Sequence, residues 1–147
     1  MFRGRFVHTI DSKGRMSIPT VFRGELTRHG ARAPILTNML ACLALYPFED
    51  WEKIEQRLCS ASPMQLEVQA LQRFMVSGAV ECPLDGQGRV LVPPHLREHA
   101  RLEREVTIAG VGPRIELWDK ARFDEDLAKT RAHFSEISAA VAQSSGS

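Results

Sequence analysis

Short runs of alternating apolar and polar residues open the chain and predict strands before any helix. Residues 2–10 alternate loosely between apolar and basic positions, which is typical of a strand with one basic face. Residues 15–18 alternate again, and a turn of Asp, Ser, Lys and Gly separates the two runs. Pro19 ends the second strand because proline cannot donate a hydrogen bond to a neighbouring strand. A short helix is predicted next, with Thr20 as its N-cap and Gly30 at its end.

The middle of the chain is predicted to contain two strands followed by two helices. Residues 34–37 and 41–46 predict a pair of strands. Apolar residues within 47–60 recur at spacings of three and four, which predicts a helix. A second helix is predicted over 63–77, with Gly78 after its last turn. The apolar stripe of this second helix is predicted to lie in the core or at a subunit interface.

The second half of the chain repeats this order of elements. Strands are predicted at 79–82, 89–92, 105–111 and 114–118, and helices at 93–100 and 119–134. The end of the chain is rich in small and polar residues. A disordered tail is therefore predicted over 135–147.

One nine-residue motif occurs twice. The segment Asp11–Pro19 returns as Asp85–Pro93, and its Asp, Gly, Arg and Pro recur at a constant spacing of 74 residues. Two copies indicate an internally duplicated domain and not an open array. The predicted units are residues 1–62 and 79–134, joined by a bridging helix at 63–78. Four short strands cannot bury both faces of a sheet, so the fold is predicted to be mainly β with peripheral helices (α+β), the two halves closing one pseudo-two-fold barrel.

Composition and charge point to a globular protein with one basic region. Hydrophobic residues make up 44% of the 147 residues and charged residues 25%, which is close to the globular average. Residues 1–34 hold seven basic and two acidic side chains, so this part carries a formal charge of +5 and the remainder −4. Either a solvated basic surface or a surface for an anionic partner explains this distribution.

Several classes of protein are not indicated by the sequence. The N-terminus lacks the pattern of a signal peptide. The longest apolar run, residues 39–48, is shorter than the roughly 18 residues that a membrane span needs. The three cysteines, Cys42, Cys59 and Cys82, form no CxxC pair and are predicted to be reduced and mostly buried, as in a cytosolic protein.

The repeated turn offers cationic side chains on a rigid scaffold. A guanidinium can pair with a phosphate or with O6 and N7 of guanine, so the arginine after each turn is the best candidate for contacting DNA. The predicted DNA-binding residues are Arg15, Arg89, Lys13, Arg3 and Arg5, of which the last three are predicted phosphate contacts. The predicted turn-shaping residues are Asp11, Gly14, Asp85 and Gly88.

A structural alternative stays open for the arginines of the turns. Asp and Arg of one turn can form an ion pair inside the barrel, and this role can coexist with DNA contact. Arg23 and Arg97, each beside a large apolar residue, are predicted to have a structural or interface role. Because the second turn has Gln87 in place of Lys13 and no basic strand beside it, the first turn is predicted to dominate DNA affinity.

The sequence supports an enzymatic function less well than it supports DNA binding. His95–His99 fits the H-x-x-E-H zinc pattern, but no third ligand is obvious and the matching segment of the first half has no histidine. Gly86–Gly88 is too short for a dinucleotide or phosphate cradle. No Ser-His-Asp or Cys-His arrangement stands out. The sequence therefore predicts no catalytic residue, no metal, no cofactor and no enzymatic activity.

These motifs resemble those of the MraZ family, whose members carry two tandem SpoVT/AbrB-like repeats. The matching segments are Phe2–Gly4, Asp11–Arg15, Ile18–Pro19, Phe22–Arg23, Cys42–Leu43, Tyr46–Pro47, Trp51, Gly88–Val90, Pro93 and Glu116–Asp119. The resemblance extends from residue 2 to about residue 134. It implies a double-split, swapped-hairpin β-barrel of the AbrB-like type in each protomer, and ring-shaped homo-oligomers.

The resemblance also implies a function. It implies a transcriptional regulator that binds short direct repeats in double-stranded DNA upstream of its own division and cell-wall operon. The implied location is cytoplasmic and nucleoid-associated, with no membrane partner. The alternative, from a different class, is an oligomeric AbrB-like module that binds a protein and has no specific DNA binding. The basic N-terminal region favours DNA.

Overall fold

The computed structural model describes residues 1–28, 30 and 32–145. Within them the strands are β1 (Phe2–Thr9), β2 (Arg15–Ser17), β3 (Ile35–Asn38), β4 (Leu43–Tyr46), β5 (Val80–Glu81), β6 (Arg89–Leu91), β7 (Glu105–Gly112) and β8 (Arg114–Asp119). The helices are α1 (Thr20–Leu26), α2 (Phe48–Ser60), α3 (Leu66–Leu71), α4 (Pro94–Ala100), α5 (Lys120–Ala132) and α6 (Phe134–Ser145). A π-helical segment, Gln72–Val76, continues α3.

The strand order of the larger sheet is symmetric: reversing it and exchanging the equivalent strands of the two halves gives the same order. All pairs are antiparallel, and the larger sheet has the order β1-β7-β8-β4-β3-β5, while β2 and β6 form a separate two-stranded ribbon. The first strand of each half therefore pairs with the third strand of the other half, and the two fourth strands meet at the centre. This swapped pairing gives the duplicated chain its pseudo-two-fold symmetry.

The mainly antiparallel α+β class is confirmed, but a closed barrel is not. The paired strands of the described residues form an open six-stranded sheet and a ribbon. The ribbon strands are three residues long and β5 is two residues long. Such short strands offer few backbone groups for a ladder that would join ribbon and sheet. Side-chain packing joins the two instead.

The inner side of the ribbon belongs to the main core. Met16 and Val90 lie opposite each other at its centre, and each is 1% exposed. Buried residues packed in the same cluster include Ile18, Leu36, Leu43, Leu45, Val92, Leu96, Val106, Ile108, Ile115 and Leu117. Each buried aliphatic side chain of this size stabilises the fold by about 1.5–3 kcal/mol. Because side chains alternate along a strand, burying the central pair leaves the flanking ribbon residues on the outer side.

A short helix follows each ribbon strand in the same way. Helix α1 buries Phe22 and Leu26, and α4 buries Leu96 and Ala100. The predicted N-cap at Thr20 is wrong, because Pro19 occupies the N-cap position and no side chain caps α1. Thr20 is already inside the helix.

Helices also cover the side of the larger sheet that faces away from the ribbon and the main core. Trp51 of α2 packs against Tyr46 of β4, with ring centroids 6.0 Å apart. Phe123 of α5 packs against Trp118 of β8 at 5.6 Å. The side chain of Asp119 caps α5 by accepting a hydrogen bond from the backbone N–H of Arg122 at 3.1 Å.

The end of the chain differs from its prediction. A disordered tail is predicted over 135–147, whereas the structure has helix α6 over Phe134–Ser145, and residues 146 and 147 lie outside the described part. Alanine is the best helix former, and Phe134, Ile137 and Val141 recur at helical spacing. The small and polar composition of the segment does not reveal the helical spacing of these three apolar residues. None of the residues of α6 is buried.

The bridging segment is helical over a shorter range than predicted. Helix α3 begins at Leu66, three residues after Pro63, and the π-helical segment ends at Val76. No helix in the described ranges is both long enough and apolar enough to cross a membrane.

The cysteines are free thiols, and two of the three are buried. Cys42 and Cys82 are buried, whereas Cys59 lies exposed on α2. Burial raises the pKa of both buried thiols to about 12. They are therefore protonated at neutral pH and behave as small apolar side chains.

Candidate nucleic-acid interface

The first turn is built around one carboxylate. Oδ1 of Asp11 accepts hydrogen bonds from the backbone N–H groups of Lys13 and Arg15, both at 2.9 Å. The backbone N–H of Gly14 donates to the carbonyl of Asp11 at 3.0 Å, and Gly14 has a φ of +89°, which favours glycine. These hydrogen bonds, first of all the one from the Arg15 backbone, hold the pKa of the Asp11 carboxyl below its usual value.

The second turn repeats this geometry 74 residues later. Oδ1 of Asp85 accepts from the backbone N–H groups of Gln87 at 2.8 Å and Arg89 at 2.9 Å. Gly88 has a φ of +74°. The backbone hydrogen bond from Arg89 is again the first cause of a lowered pKa at the carboxyl of Asp85. The two predicted turn-shaping sets thus have the same conformation.

Each turn is braced by the other half of the chain. The backbone N–H of Val92 donates to the carbonyl of Gly14 at 2.8 Å, and that of Ile18 donates to Gly88 at 2.9 Å. A Cβ on Gly14 would lie 2.6 Å from the Val92 carbonyl oxygen, and a Cβ on Gly88 would overlap the guanidinium of Arg23. Gly14 is therefore required both by its φ and by close packing against backbone, whereas Gly88 is required by its φ, and a Cβ there would displace the Arg23 side chain.

Each turn directs its arginine in the same manner. Nε of Arg15 donates to Oδ2 of Asp11 at 2.9 Å, and Nε of Arg89 donates to Oδ2 of Asp85 at 2.9 Å. The ion pairs form on the surface, since the side chains of Arg15 and Arg89 are 39% and 32% exposed. The Asp–Arg ion pairs that the structural alternative predicts do form, but they form on the surface and not in the core. Among the described residues no hydrogen bond occupies the terminal Nη groups of either arginine.

The ribbon register places both arginines on one outer face. Arg15 pairs with Leu91, and Ser17 pairs with Arg89, while the central pair between them points into the core. Residues paired across a ribbon share a face, so all four side chains lie on the same side. We call this set, Arg15, Ser17, Arg89 and Leu91, the ribbon face. The two arginines are diagonal neighbours on this face, and the Cα atoms of diagonal neighbours on an antiparallel pair are about 7–8 Å apart.

Two predicted contacts do not reach the ribbon face. The guanidinium of Arg5 lies 5.7 Å from the ring centroid of Phe123 on α5. On the other face of the same strand, Nδ1 of His8 is 2.6 Å from the carbonyl oxygen of Ser17 in β2. Side chains alternate along β1, so Arg3 and Arg5 point to the α5 side and away from the ribbon. The structure therefore does not group them with Arg15.

Lys13 remains close to the ribbon because it belongs to the first turn. Its side chain lines a cavity of about 620 Å³ between this turn and the C-terminal end of α4, together with Arg97, Glu98 and Arg101. Cations and carboxylates are mixed there. Lys13 is exposed, so it can approach a phosphate beside the ribbon face.

The arginines after the two prolines are used inside the protein. Nε of Arg23 donates to the carbonyl of Ile18 at 2.8 Å. Nε of Arg97 donates to the carbonyl of Leu102 at 2.9 Å, and its Nη1 donates to that of Ser12 at 3.2 Å. Both therefore fasten neighbouring loops, in agreement with the structural role that the sequence suggests.

The histidines of α4 also have backbone partners. Nε2 of His95 is 3.3 Å from the carbonyl oxygen of Gly78, and Nε2 of His99 is 2.7 Å from that of Met39. A search of the described ranges finds no group of three His, Cys, Asp or Glu side chains that could hold a metal ion.

Sequence reasoning missed two members of the ribbon face, Ser17 and Leu91. Each stands two residues after an arginine of the repeated motif, which was the available signal. The pairing of β2 with β6 was needed to bring them beside the arginine of the other half.

The fold and the site together define a class of protein: an internally duplicated α+β domain whose halves exchange strands and join their two Asp–Arg turns in one ribbon. The sequence model of the family described as "MraZ protein, putative antitoxin-like" matches residues 1–74 and again 75–144. The chain belongs to the MraZ family.

Curated relatives agree with this assignment over nearly the whole chain. The transcriptional regulator MraZ of Syntrophobacter fumaroxidans is 43% identical over 136 residues, which cover 92% of this chain and 91% of the relative. The transcriptional regulator MraZ of Moorella thermoacetica is 45% identical, covering 88% and 89%. That of Pediococcus pentosaceus is 38% identical, covering 93% and 94%.

Proposed function

We propose that the chain is a transcriptional regulator that recognises specific DNA sequences through its ribbon face. The names of its relatives and its membership of the MraZ family support the regulatory role. Because this family consists of transcriptional regulators, the chain is not an enzyme.

One observation carries the DNA-binding part of the proposal: Arg15 and Arg89 share an outer face and keep their Nη groups for a partner. The major groove of B-DNA, about 12 Å wide, admits a two-stranded ribbon. Each guanidinium is held by Nε, so its free edge is oriented before DNA arrives. Lys13 supplies a phosphate contact beside the first turn. Arg3 and Arg5, on the α5 side, would contact only DNA that wraps beyond the ribbon.

The target is proposed to be short direct repeats upstream of the chain's own operon, bound by a ring of identical chains. One ribbon face makes few contacts, and non-specific DNA binding is weak, at roughly 10⁻⁴–10⁻⁶ M. Several copies on a repeated target gain affinity through effective concentration. A cytoplasmic, nucleoid-associated location follows from this role. The swapped strand pairing supports the finer assignment of the fold to the double-split barrels of AbrB-like proteins.

Two exposed apolar patches support assembly of further copies. Helix α6 exposes Phe134, Ile137 and Val141, which lie along one stripe. The bridging segment exposes Leu66 and Leu71. Different patches that fit each other on successive copies make a head-to-tail contact, which closes into a ring when the rotation permits.

Binding of the wild-type chain to its own upstream DNA tests the proposal. A gel shift is expected with the upstream fragment and not with a scrambled fragment of equal length, and affinity should fall steeply as salt rises. The affinity should also increase with the number of target repeats. Equal affinity for the scrambled fragment would leave the protein-interaction module as the better explanation. Size-exclusion mass on the same sample establishes the assembly that binds.

A further inference from the structure

The two halves of the ribbon face differ at one position. Ser17 of the first half and Leu91 of the second half occupy equivalent places in the repeat, two residues after each arginine. Leu91 is 57% exposed, although it lies among polar and cationic side chains. A single exposed leucine on a protein surface is ordinary. This leucine, however, lies on the same face as the unbonded Nη groups of both arginines, which suggests a function for it.

The register puts Leu91 beside the first arginine. Leu91 is the direct partner of Arg15, and Cβ atoms of direct antiparallel partners are about 4.5–5.5 Å apart. Its side chain leans towards the first turn, because a Cβ on Gly14 would lie 3.6 Å from Cδ1 of Leu91. Arg89 has the small, polar Ser17 in the corresponding place. The two guanidiniums therefore have different neighbours.

This difference matters in a major groove. Arginine pairs with guanine there, whereas an apolar side chain contacts the C5-methyl group that only thymine presents. We infer that Leu91 reads a thymine methyl group next to the base pair that Arg15 contacts. The second arginine lacks this contact because Ser17 has no apolar group to offer. The inference rests on the proposed DNA-binding function and gives each ribbon face a direction along the DNA.

Deoxyuridine provides a direct probe, since it pairs as thymine does but lacks the methyl group. The probe is the upstream fragment bound by the wild-type chain, with each thymine of the repeat replaced in turn by deoxyuridine. One replacement is expected to weaken wild-type binding about three- to fivefold, the effect of one methyl-sized apolar contact. Leu91→Ser, which reproduces the first half, should bind thymine and deoxyuridine equally at that position. Leu40→Ser, an exposed leucine in the β3–β4 connection, should keep the wild-type discrimination.

The outcomes separate the two proposals. If the wild-type chain shifts the fragment but no deoxyuridine weakens it, the role of Leu91 is overturned while DNA binding stands. If Leu91→Ser binds more weakly yet keeps the same deoxyuridine sensitivity, Leu91 only packs against the first turn, and the inference is again wrong. If the wild-type chain does not bind the upstream fragment specifically, both proposals fail.

Discussion

Single carboxylates determine the shape of the candidate interface. The side chain of Asp11 accepts two backbone hydrogen bonds through Oδ1 and the guanidinium of Arg15 through Oδ2. One residue therefore both closes the turn and aims the cation. Asp85 does the same for Arg89. Because both oxygens are used, replacing either aspartate changes local stability and arginine position together.

Asp11→Asn should lower stability in a pH-dependent manner. The pKa of Asp11 is lowered from 3.8 in the folded chain, so the stabilisation by its charge is fully present above that value. It is lost as the pH falls through the lowered folded pKa. Urea unfolding at a series of pH values should show a difference in unfolding free energy between wild type and variant at pH 7, and this difference should shrink as the pH falls below 3.8. A difference that does not change with pH would contradict this assignment.

Arg15→Ala and Arg89→Ala should each weaken specific DNA binding by about 1–3 kcal/mol, the range for one well-placed guanidinium on a base pair. Fluorescence anisotropy with the upstream fragment measures the change, and size-exclusion mass should stay at the wild-type value. Arg5→Ala is the matched control. It removes the same side chain from the α5 side, so its effect on affinity should be much smaller. A loss for Arg5→Ala as large as for Arg15→Ala would remove the ribbon face as the main contact.

At the scale of elements, the turns and the ribbon depend on each other. Gly14 and Gly88 each accept, through the carbonyl oxygen, a backbone hydrogen bond from the residue that follows the opposite ribbon strand. The ribbon has only three residue pairs. A ribbon this short is stable because its ends are tied to the turns and its centre is buried.

Gly88→Ala tests this dependence, and Gly86→Ala is its control within the same turn. Gly88 has positive φ, and an added Cβ would overlap Arg23, whereas nothing lies within 4 Å of a Cβ on Gly86. Gly88→Ala should cost about 1–3 kcal/mol of unfolding free energy. Gly86→Ala should be within about 0.5 kcal/mol of wild type. Chemical denaturation measures both, and equal effects would show that the turn does not require glycine.

The sequence reveals local features of these elements and conceals the long-range ones. Asp11 and Gly14 could be assigned to a turn because their hydrogen bonds lie within four residues. The partner of Leu91 could not be assigned, since pairing of β2 with β6 depends on the whole fold. The alternation along β1 predicts one basic face with Arg3 and Arg5, but it does not show that this face lies on the α5 side, away from the ribbon. The tail was misjudged from composition, although Ile137 and Val141 carry a helical period.

At the scale of the whole molecule, the ribbon face and the exposed apolar stripe belong to different elements. The ribbon face is formed by β2 and β6, whereas Phe134, Ile137 and Val141 lie on α6. DNA contact and contact between copies therefore use different surfaces in our proposal. Changes to one should leave the other intact.

Ile137→Asp should reduce assembly without unfolding the chain. A carboxylate on the α6 stripe is costly to bury between copies, but no residue of α6 is buried within one chain. Size-exclusion mass should fall, and the unfolding transition of the dissociated chain should remain cooperative. Gln143→Asp, on the opposite side of the same helix, is the control and should keep the wild-type mass. An unchanged mass for Ile137→Asp would exclude the α6 stripe as a contact between copies.

The exchange of strands between halves also has a consequence for how the chain folds during synthesis. Strand β1 pairs with β7, and the paired residues are separated by 96 to 110 positions. The first strand to leave the ribosome thus waits for one of the last before its ladder can form. Contacts so distant in sequence slow folding. Although each repeat looks like a unit that could fold alone, the nascent first half can form only one of its five strand pairings, that of β3 with β4, so the two halves must fold together.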